Sequence, residues 1–428
     1  MERNDTMDFI KTPVKGMRDA LPADVLLREH VMGMIRETYR KYGFTEIETP
    51  AIEHIENLTN KQGGENEKLI FKILKRGRDL EKELEKNGTD LADIGLRYDL
   101  TVPLARYYAA NAAQLPSPFK ALQIGSVWRA DKPQKGRFRQ FTQCDIDILG
   151  DGSSMAEIEL IAATSEMLTK IFAEVGITDF TVHVSDRRIL RGMAKYAGFQ
   201  EEDYGNVFII LDKLDKIGID GVTDELKKAG YDEAAVEKYV AIFAEDFAGK
   251  SPKEFCGFLN EAQLEPGVID GLETILACAG AMVGENVHIV FDPTLVRGMG
   301  YYTGTIFECT IDDYNFSIAG GGRYDKMIGR YSGTDVPACG FSIGFERIIT
   351  ILKDHLSEDT MNAAERVAIL AEKNLLPEQL VALFRRAQQL RAEGKTVTVQ
   401  PMKKNIRRQI ELLEAEGYGE IEKVYRNS

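Results

Sequence analysis

Apolar positions recur at helical spacing along residues 22–42, where Val31, Ile35 and Tyr39 share one face, and this spacing predicts a helix. Gly43 follows as its expected stop, and residues 44–49 alternate like a strand ahead of Pro50. Residues 74–87 are dense in charge and fit a solvated helix or hairpin extension. Residues 118–150 read as two strands around a polar loop at 131–137, and residues 156–175 as a helix. From about residue 186 to 284 the pattern turns helical and acidic, with short glycine-punctuated segments. Strand-like sequence resumes at 287–291 and 305–311, so the intervening stretch is expected to be a helical insertion in a strand-rich core. Residues 340–352 predict a short strand turning into a helix.

The rhythm changes after residues 355–364, which are polar and read as a linker. Strands at 367–370 and 396–400 then alternate with helices at 377–392 and 404–416, which predicts a small separate α/β domain. The expected plan is an α+β core over 1–354 with its insertion, the linker, and an α/β module over 365–428.

Composition narrows the class. A chain of 428 residues has room for two or three domains, and 44% apolar with 29% charged residues is ordinary globular composition. No run of about 18 apolar residues occurs, so no transmembrane helix is expected. Residues 1–11 are polar with no apolar stretch of the secretory kind, giving the expectation of a cytoplasmic protein. The formal net charge of −14 speaks against a general basic coat for nucleic acid, yet allows a local basic patch. Five scattered cysteines without a C-x-x-C pair suggest neither disulfides nor zinc. Five histidines without paired spacing give no support to a His-ligated metal or a histidine-based triad.

The candidate chemistry lies in residues 121–150. Along 138–150, Phe138, Cys144, Ile146 and Ile148 fall on one face, and Arg139, Gln143, Asp145 and Asp147 on the other. That alternation fits a pocket wall for a polar, cationic ligand, with a solvated outer face as the alternative. The preceding loop adds Arg129, Lys132, Lys135 and Arg137 within a few residues, a pattern suited to folding over phosphate oxygens. Lys132 and Lys135 also fit an ordinary exposed turn. Three glycine clusters sit beside Arg and Tyr. One is 297–302, opening into a strand; another is 319–325, following a strand; the last is 340–347, leading into a helix. None is a P-loop or a G-x-G-x-x-G fingerprint.

Taken together, these segments resemble the class II aminoacyl-tRNA synthetases. Lys15-Gly16-Met17-Arg18-Asp19 with the helix and Pro50 looks like motif 1, residues 128–147 like motif 2, and residues 340–347 like motif 3. More narrowly, Leu96-Arg97-Tyr98-Asp99-Leu100-Thr101, Lys135-Gly136-Arg137-Phe138-Arg139-Gln140-Phe141, Gln143-Cys144-Asp145-Ile146-Asp147 and residues 295–308 resemble histidyl-tRNA synthetase. The likeness covers nearly the whole chain.

The resemblance implies an antiparallel sheet flanked by helices, a homodimer formed through motif 1, and a C-terminal anticodon-binding-like domain. It implies a histidine–tRNA ligase using ATP and Mg²⁺, with histidine, ATP and tRNA(His) as partners and no membrane association. Asp99, Leu100, Thr101, Gln143, Asp147, Tyr301, Tyr302 and Tyr324 would bind histidine. Arg129, Asp131, Arg137 and Arg347 would bind ATP, and Arg129 and Arg297 would be catalytic. A paralogue serving as the histidine-binding regulatory subunit of ATP phosphoribosyltransferase is the alternative, although that relative typically lacks the C-terminal domain and these arginines. Gly300 departs from the family's usual Asp in R-G-L-D-Y-Y, which predicts looser placement of Arg297 and the tyrosines. Asp131 replaces a Glu. The C-terminal module reads as shortened, ending before the closing strand and helix that the family leads one to expect. Lys403, Lys404, Arg407 and Arg408 there fit tRNA phosphates or a solvated helix face.

Overall fold

The computed structural model describes residues 9–59, 65–133, 137–243, 247, 249–298, 300–314, 316–355 and 365–427. It forms two compact units, Met1–Thr350 and Ile351–Ser428. Strands of the first unit are β1 (Thr45–Glu46), β2 (Ile52–His54), β3 (Lys72–Leu74), β4 (Ala92–Leu96), β5 (Phe119–Trp128) and β6 (Gln140–Leu149). They continue as β7 (Phe180–Asp186), β8 (Val287–Phe291), β9 (Thr305–Thr310), β10 (Ala319–Arg323) and β11 (Ala338–Ile343). Among the described residues, eight of these make one sheet in the order β1-β5-β6-β11-β10-β9-β7-β8. Its outer pairs, β1 with β5 and β7 with β8, are parallel. Every inner pair is antiparallel. Helices flank this sheet, which makes the class α+β.

The helix Pro22–Lys41 has Pro at its first turn and buries Leu27, Val31, Ile35 and Tyr39, the face that the spacing predicts. It packs against the helix Met155–Ala173, whose Leu160, Ile161, Met167, Leu168, Ile171 and Phe172 are also buried. Each such aliphatic or aromatic side chain withdrawn from water contributes about 1.5–3 kcal/mol. Gly43, at φ +81°, turns the chain out of the first helix into β1. β1 itself is only two residues long, shorter than the alternating run at 44–49.

The glycine cluster at 319–323 does not follow a strand; it is the strand β10, in the middle of the sheet. Glycine is a poor strand former, but here the missing side chains admit neighbours. A Cβ on Gly320 would collide with the Arg297 guanidinium. The segment between β7 and β8 is helical as its pattern predicts. It begins with the helix Arg187–Ala197, capped by Asp186 through the Arg188 backbone N–H at 2.8 Å. Its last helix, Val268–Met282, packs on Met155–Ala173 and on β7 and β8.

In the second unit β12 (Arg366–Ala371), β13 (Thr396–Pro401) and β14 (Glu420–Val424) form a parallel sheet in the order β13-β12-β14. The helix Pro377–Ala392 covers one face through Leu383, Ala387 and Leu390. The helix Ile406–Ala415 meets the other through Leu413. Burial on both faces explains the unbroken apolar run of β12. β14 carries no strand signal in its sequence, since three of its five residues are charged; the parallel ladder to β12 makes it a strand. Of the expected linker only His355 is described, as the end of the helix Phe345–His355, and residues 356–364 lie outside the described residues. Among the described residues no helix is long and apolar enough to cross a membrane.

Candidate active site

A cleft of about 1100 Å³ opens in the first unit. Its walls come from the β5–β6 hairpin, from β9, β10 and β11, and from the turns that carry Asp99 and Tyr301. Its size is at the upper end of ordinary small-molecule sites, roughly 300–1,000 Å³, so it can hold two reactants at once.

One end is acidic. Burial pushes the Asp147 carboxyl up to about 7, with the Tyr324 hydrogen bond opposing and the Asp99 charge adding to the rise. Tyr324 donates its hydroxyl proton to Asp147 Oδ1 at 2.5 Å, whereas Asp147 Oδ2 is buried without a partner. Gln143 Nε2 donates to Ser342 Oγ at 2.8 Å, and Ser342 donates on to Asp145 Oδ1 at 2.5 Å. This chain leaves Gln143 Oε1 buried and unpaired as well. Burial also raises Asp99, which accepts from the Val102 backbone N–H at 3.0 Å, and raises Asp145 further still. Orphaned acceptors and uncompensated carboxylates are costly in a protein interior. An ammonium group or an imidazole N–H would satisfy them. Tyr301 closes the end, hydrogen-bonded to Thr101 and Tyr302 and 4.8 Å from the Tyr302 ring.

The other end is basic. Arg129 lies over the Tyr98 ring at 4.3 Å and the Phe141 ring at 5.1 Å, with Nε donating to the Tyr98 carbonyl at 3.1 Å. Arg347 lies over Phe316 at 5.3 Å and donates to the Ser317 carbonyl. Burial, followed by the charges of Arg137, Arg297 and Arg129, lowers the Arg347 pKa, so four guanidinium groups act on one region. Arg297 is ion-paired with Glu308, while its Nε–H is buried with no partner. Donors held apart by aromatic faces and converging on one space suit a polyphosphate.

Glu346 braces this end from behind. It takes Arg28 on both oxygens, at 2.7 and 2.9 Å, Arg18 at 2.5 Å, and the Thr142 backbone N–H at 3.2 Å. Burial alone would raise its carboxyl, but the hydrogen bonds and charge of Arg28, then Thr142 and Arg18, hold it below the ordinary value. The segments that resemble motifs 1, 2 and 3 are thus tied at one carboxylate. Glu346→Gln leaves two arginines without their counter-charge, so we expect a loss of about 3–5 kcal/mol, read as a lower thermal midpoint. An unchanged midpoint would refute the bracing role.

The structure gathers most of the sequence-derived candidates here. Asp99, Thr101, Arg129, Asp131, Arg137, Gln143, Asp147, Arg297, Tyr301, Tyr302, Tyr324 and Arg347 all line the cleft. Leu100 does not: its side chain is buried, and its carbonyl accepts from Gln123 Nε2 at 3.1 Å. Phe138 lies outside β6 and lines the cleft, in place of the apolar strand face expected of it. Arg139 also falls outside that strand and turns back to the Asp131 carbonyl at 3.0 Å. Lys135 lies outside the described residues. A Cβ at Gly300 would meet nothing within 4 Å, and Arg297 is placed by Glu308 and by the close approach of Gly320.

Sequence reasoning missed Glu308, Ser342, Tyr98 and Phe316 as lining residues. Alternation along β9 and β11 was the available signal, since Glu308 with Thr310 and Gly340 with Ser342 each share a face.

A family model described as histidyl-tRNA synthetase matches residues 16–348. A histidine–tRNA ligase of Leifsonia xyli subsp. xyli is 43% identical over 415 residues, covering 95% of this chain and 94% of its own. One from Cytophaga hutchinsonii is 36% identical over 410 residues, covering 92% and 88%. A crystal structure of histidyl-tRNA synthetase from Nostoc sp. PCC 7120 superposes with a TM-score of 0.76 at 28% identity, covering 96% of this chain and 90% of that one.

Proposed function

The chain belongs to the histidyl-tRNA synthetase family, and from that premise we propose how its cleft carries out the reaction. The protein is an ATP-dependent histidine–tRNA ligase. The observation that carries the residue assignments is the pairing of two orphaned acceptors, Gln143 Oε1 and Asp147 Oδ2, with the orphaned donor Arg297 Nε in one cleft.

Histidine binds at the acidic end. Asp99, Thr101, Gln143, Asp147 and Tyr302 take its ammonium group and imidazole, with Tyr301 and Tyr324 packed beside them. ATP binds at the basic end, with Arg129 on the α-phosphate and Arg137 and Arg347 on the outer phosphates. Asp131, on the same cleft wall, completes the ATP-binding set. The amino-acid carboxylate attacks the α-phosphorus. A new P–O bond forms, the bond to the bridging oxygen of the β-phosphate breaks, and pyrophosphate leaves with that electron pair. Positioning lowers most of this barrier. Arg129 and Arg297 neutralise charge that grows on the α-phosphate oxygens in the transition state. The histidyl group then passes from the adenylate to the terminal ribose of tRNA(His).

Mg²⁺ belongs to the same proposal. Among the described residues no group of three His, Cys, Asp or Glu side chains could hold a metal by itself. This fits an ion carried mainly by phosphate oxygens and water, which needs one or two carboxylates at most. Glu308 on the cleft wall would be such a ligand. The ion would supply charge neutralisation at the outer phosphates.

A homodimer through the motif-1 region is supported by exposed Val14, Leu21, Val25, Leu26 and Ile52. Sedimentation equilibrium should read two chains, and one chain would contradict it. The second unit would bind the anticodon arm, with Lys403, Lys404, Arg407 and Arg408 as phosphate contacts, and the whole would act in the cytoplasm. Labelled histidine, ATP, Mg²⁺ and tRNA(His) should give acid-precipitable label. Adenylate formation without charging would sink the tRNA half of this reading.

A further inference from the structure

β9 sends one more polar side chain into the cleft. Thr310 stands two residues beyond Glu308 on the same face and lines the cleft wall. Its hydroxyl lies 3.0 Å from Nε2 of His183 on β7. The other nitrogen of that ring, Nδ1, lies 3.1 Å from Asp292 Oδ2. Asp292 Oδ1 in turn accepts from the Thr294 backbone N–H at 2.9 Å and from the Thr294 hydroxyl at 2.7 Å. His183 also faces Glu308 directly across the β7–β9 pair. None of Asp292, His183 and Thr310 has a part in the reaction above.

The chain of bonds has a direction. Burial alone would raise the Asp292 carboxyl, but hydrogen bonds from His183 and Thr294 outweigh it and hold it below the ordinary value. An ionised carboxylate only accepts, so Nδ1 of His183 carries the proton towards it. The other ring nitrogen, Nε2, is thereby turned to the Thr310 hydroxyl. A hydroxyl both donates and accepts, so Thr310 keeps hydrogen-bonding capacity for a polar group in the cleft.

The register says which group. Glu308 pairs opposite Gly320, the position over which the Arg297 guanidinium sits. Thr310 is about 7 Å further along the strand. If Arg297 addresses the α-phosphate, that is the stretch where the attached sugar lies. We propose that Thr310, oriented by His183 and Asp292, hydrogen-bonds with a ribose hydroxyl of the bound nucleotide. The inference rests on the ATP-binding reading given above. Thr310 is the contact; His183 and Asp292 are positioning residues.

The test compares wild type, Thr310→Val, Thr310→Ser and His183→Leu in ATP–pyrophosphate exchange with histidine. Each is assayed with ATP, 2′-deoxy-ATP, 3′-deoxy-ATP and the triphosphate of purine riboside, which lacks the 6-amino group. Thr310→Val should raise KM for ATP about three- to tenfold with little change in kcat. It should cost nothing extra with whichever deoxy analogue lacks the contacted hydroxyl, which identifies that hydroxyl as 2′ or 3′. Thr310→Ser should restore the wild-type KM. His183→Leu should reproduce the valine pattern and add nothing to it in the double variant, and it decides the matter alone if Thr310→Val does not fold.

Equal penalties with all four nucleotides, no penalty, or a penalty lost only with purine riboside triphosphate would overturn the inference while leaving the ligase reading intact. A wild-type enzyme that exchanges nothing would overturn both.

Discussion

Arg297→Ala should slow ATP–pyrophosphate exchange by about 10²–10³-fold while changing histidine affinity by less than about threefold. The asymmetry follows from where the side chain points. Its guanidinium crosses Gly320 to reach Glu308, leaving Nε–H unpaired at the basic end, while Asp99, Gln143 and Asp147 serve the other end. A donor aimed at charge that builds only as the α-phosphorus is attacked contributes to the rate and little to ground-state binding. Arg297→Lys should recover only part of the loss, since an ammonium keeps the charge and lacks the fork. Exchange kinetics together with calorimetric histidine titration measure both quantities. Equal losses in rate and affinity would show that Arg297 holds the amino acid.

The second large effect concerns Asp147. Asp147→Asn should weaken histidine binding by about 1.5–3 kcal/mol, the usual worth of a hydrogen bond to a charged group, or roughly ten- to hundredfold. The same change should stabilise the unliganded protein at pH 8. In the folded chain this carboxyl is raised from 3.8 to about 7 by burial. Between those values the native state keeps a proton that the unfolded chain has released, so native stability falls as pH rises through the window. Above about pH 7 the full cost is present, and asparagine removes it. Thermal melts of both proteins should therefore differ more at pH 8 than at pH 5, with the variant higher. Asp99 and Asp145 are also raised by burial and act with the same sign. A variant no more stable than wild type at pH 8, or one with unchanged histidine affinity, would mean that Asp147 is not the strained acceptor described here.

Much of this site was legible in residue order because strands expose alternate side chains. Gln143, Asp145 and Asp147 share a face of β6 and do line the cleft. Their burial was not legible. The same alternation fits a solvated face, and only the fold, which makes β6 an inner strand between β5 and β11 and brings Tyr324 onto Asp147 and Tyr301 into the same cleft, encloses it. The glycine run 319–323 shows the opposite failure. Strand propensity argues against it, yet packing places it in the sheet's centre, where Arg297 and Phe307 occupy the missing side-chain space. Glu346 looked like one residue of a motif. Its role appears only when Arg18 and Arg28, more than 300 positions away in the chain, reach it. The second unit was read from its alternation of strand and helix except for β14, whose charged residues conceal a strand held by its neighbour.

The most direct test of the central claim is ATP–pyrophosphate exchange by the purified chain, with each of the twenty amino acids supplied in turn with Mg²⁺. Exchange should appear with histidine and stay at background with the other nineteen. Background exchange with histidine, measured on protein that still binds it, would contradict the account.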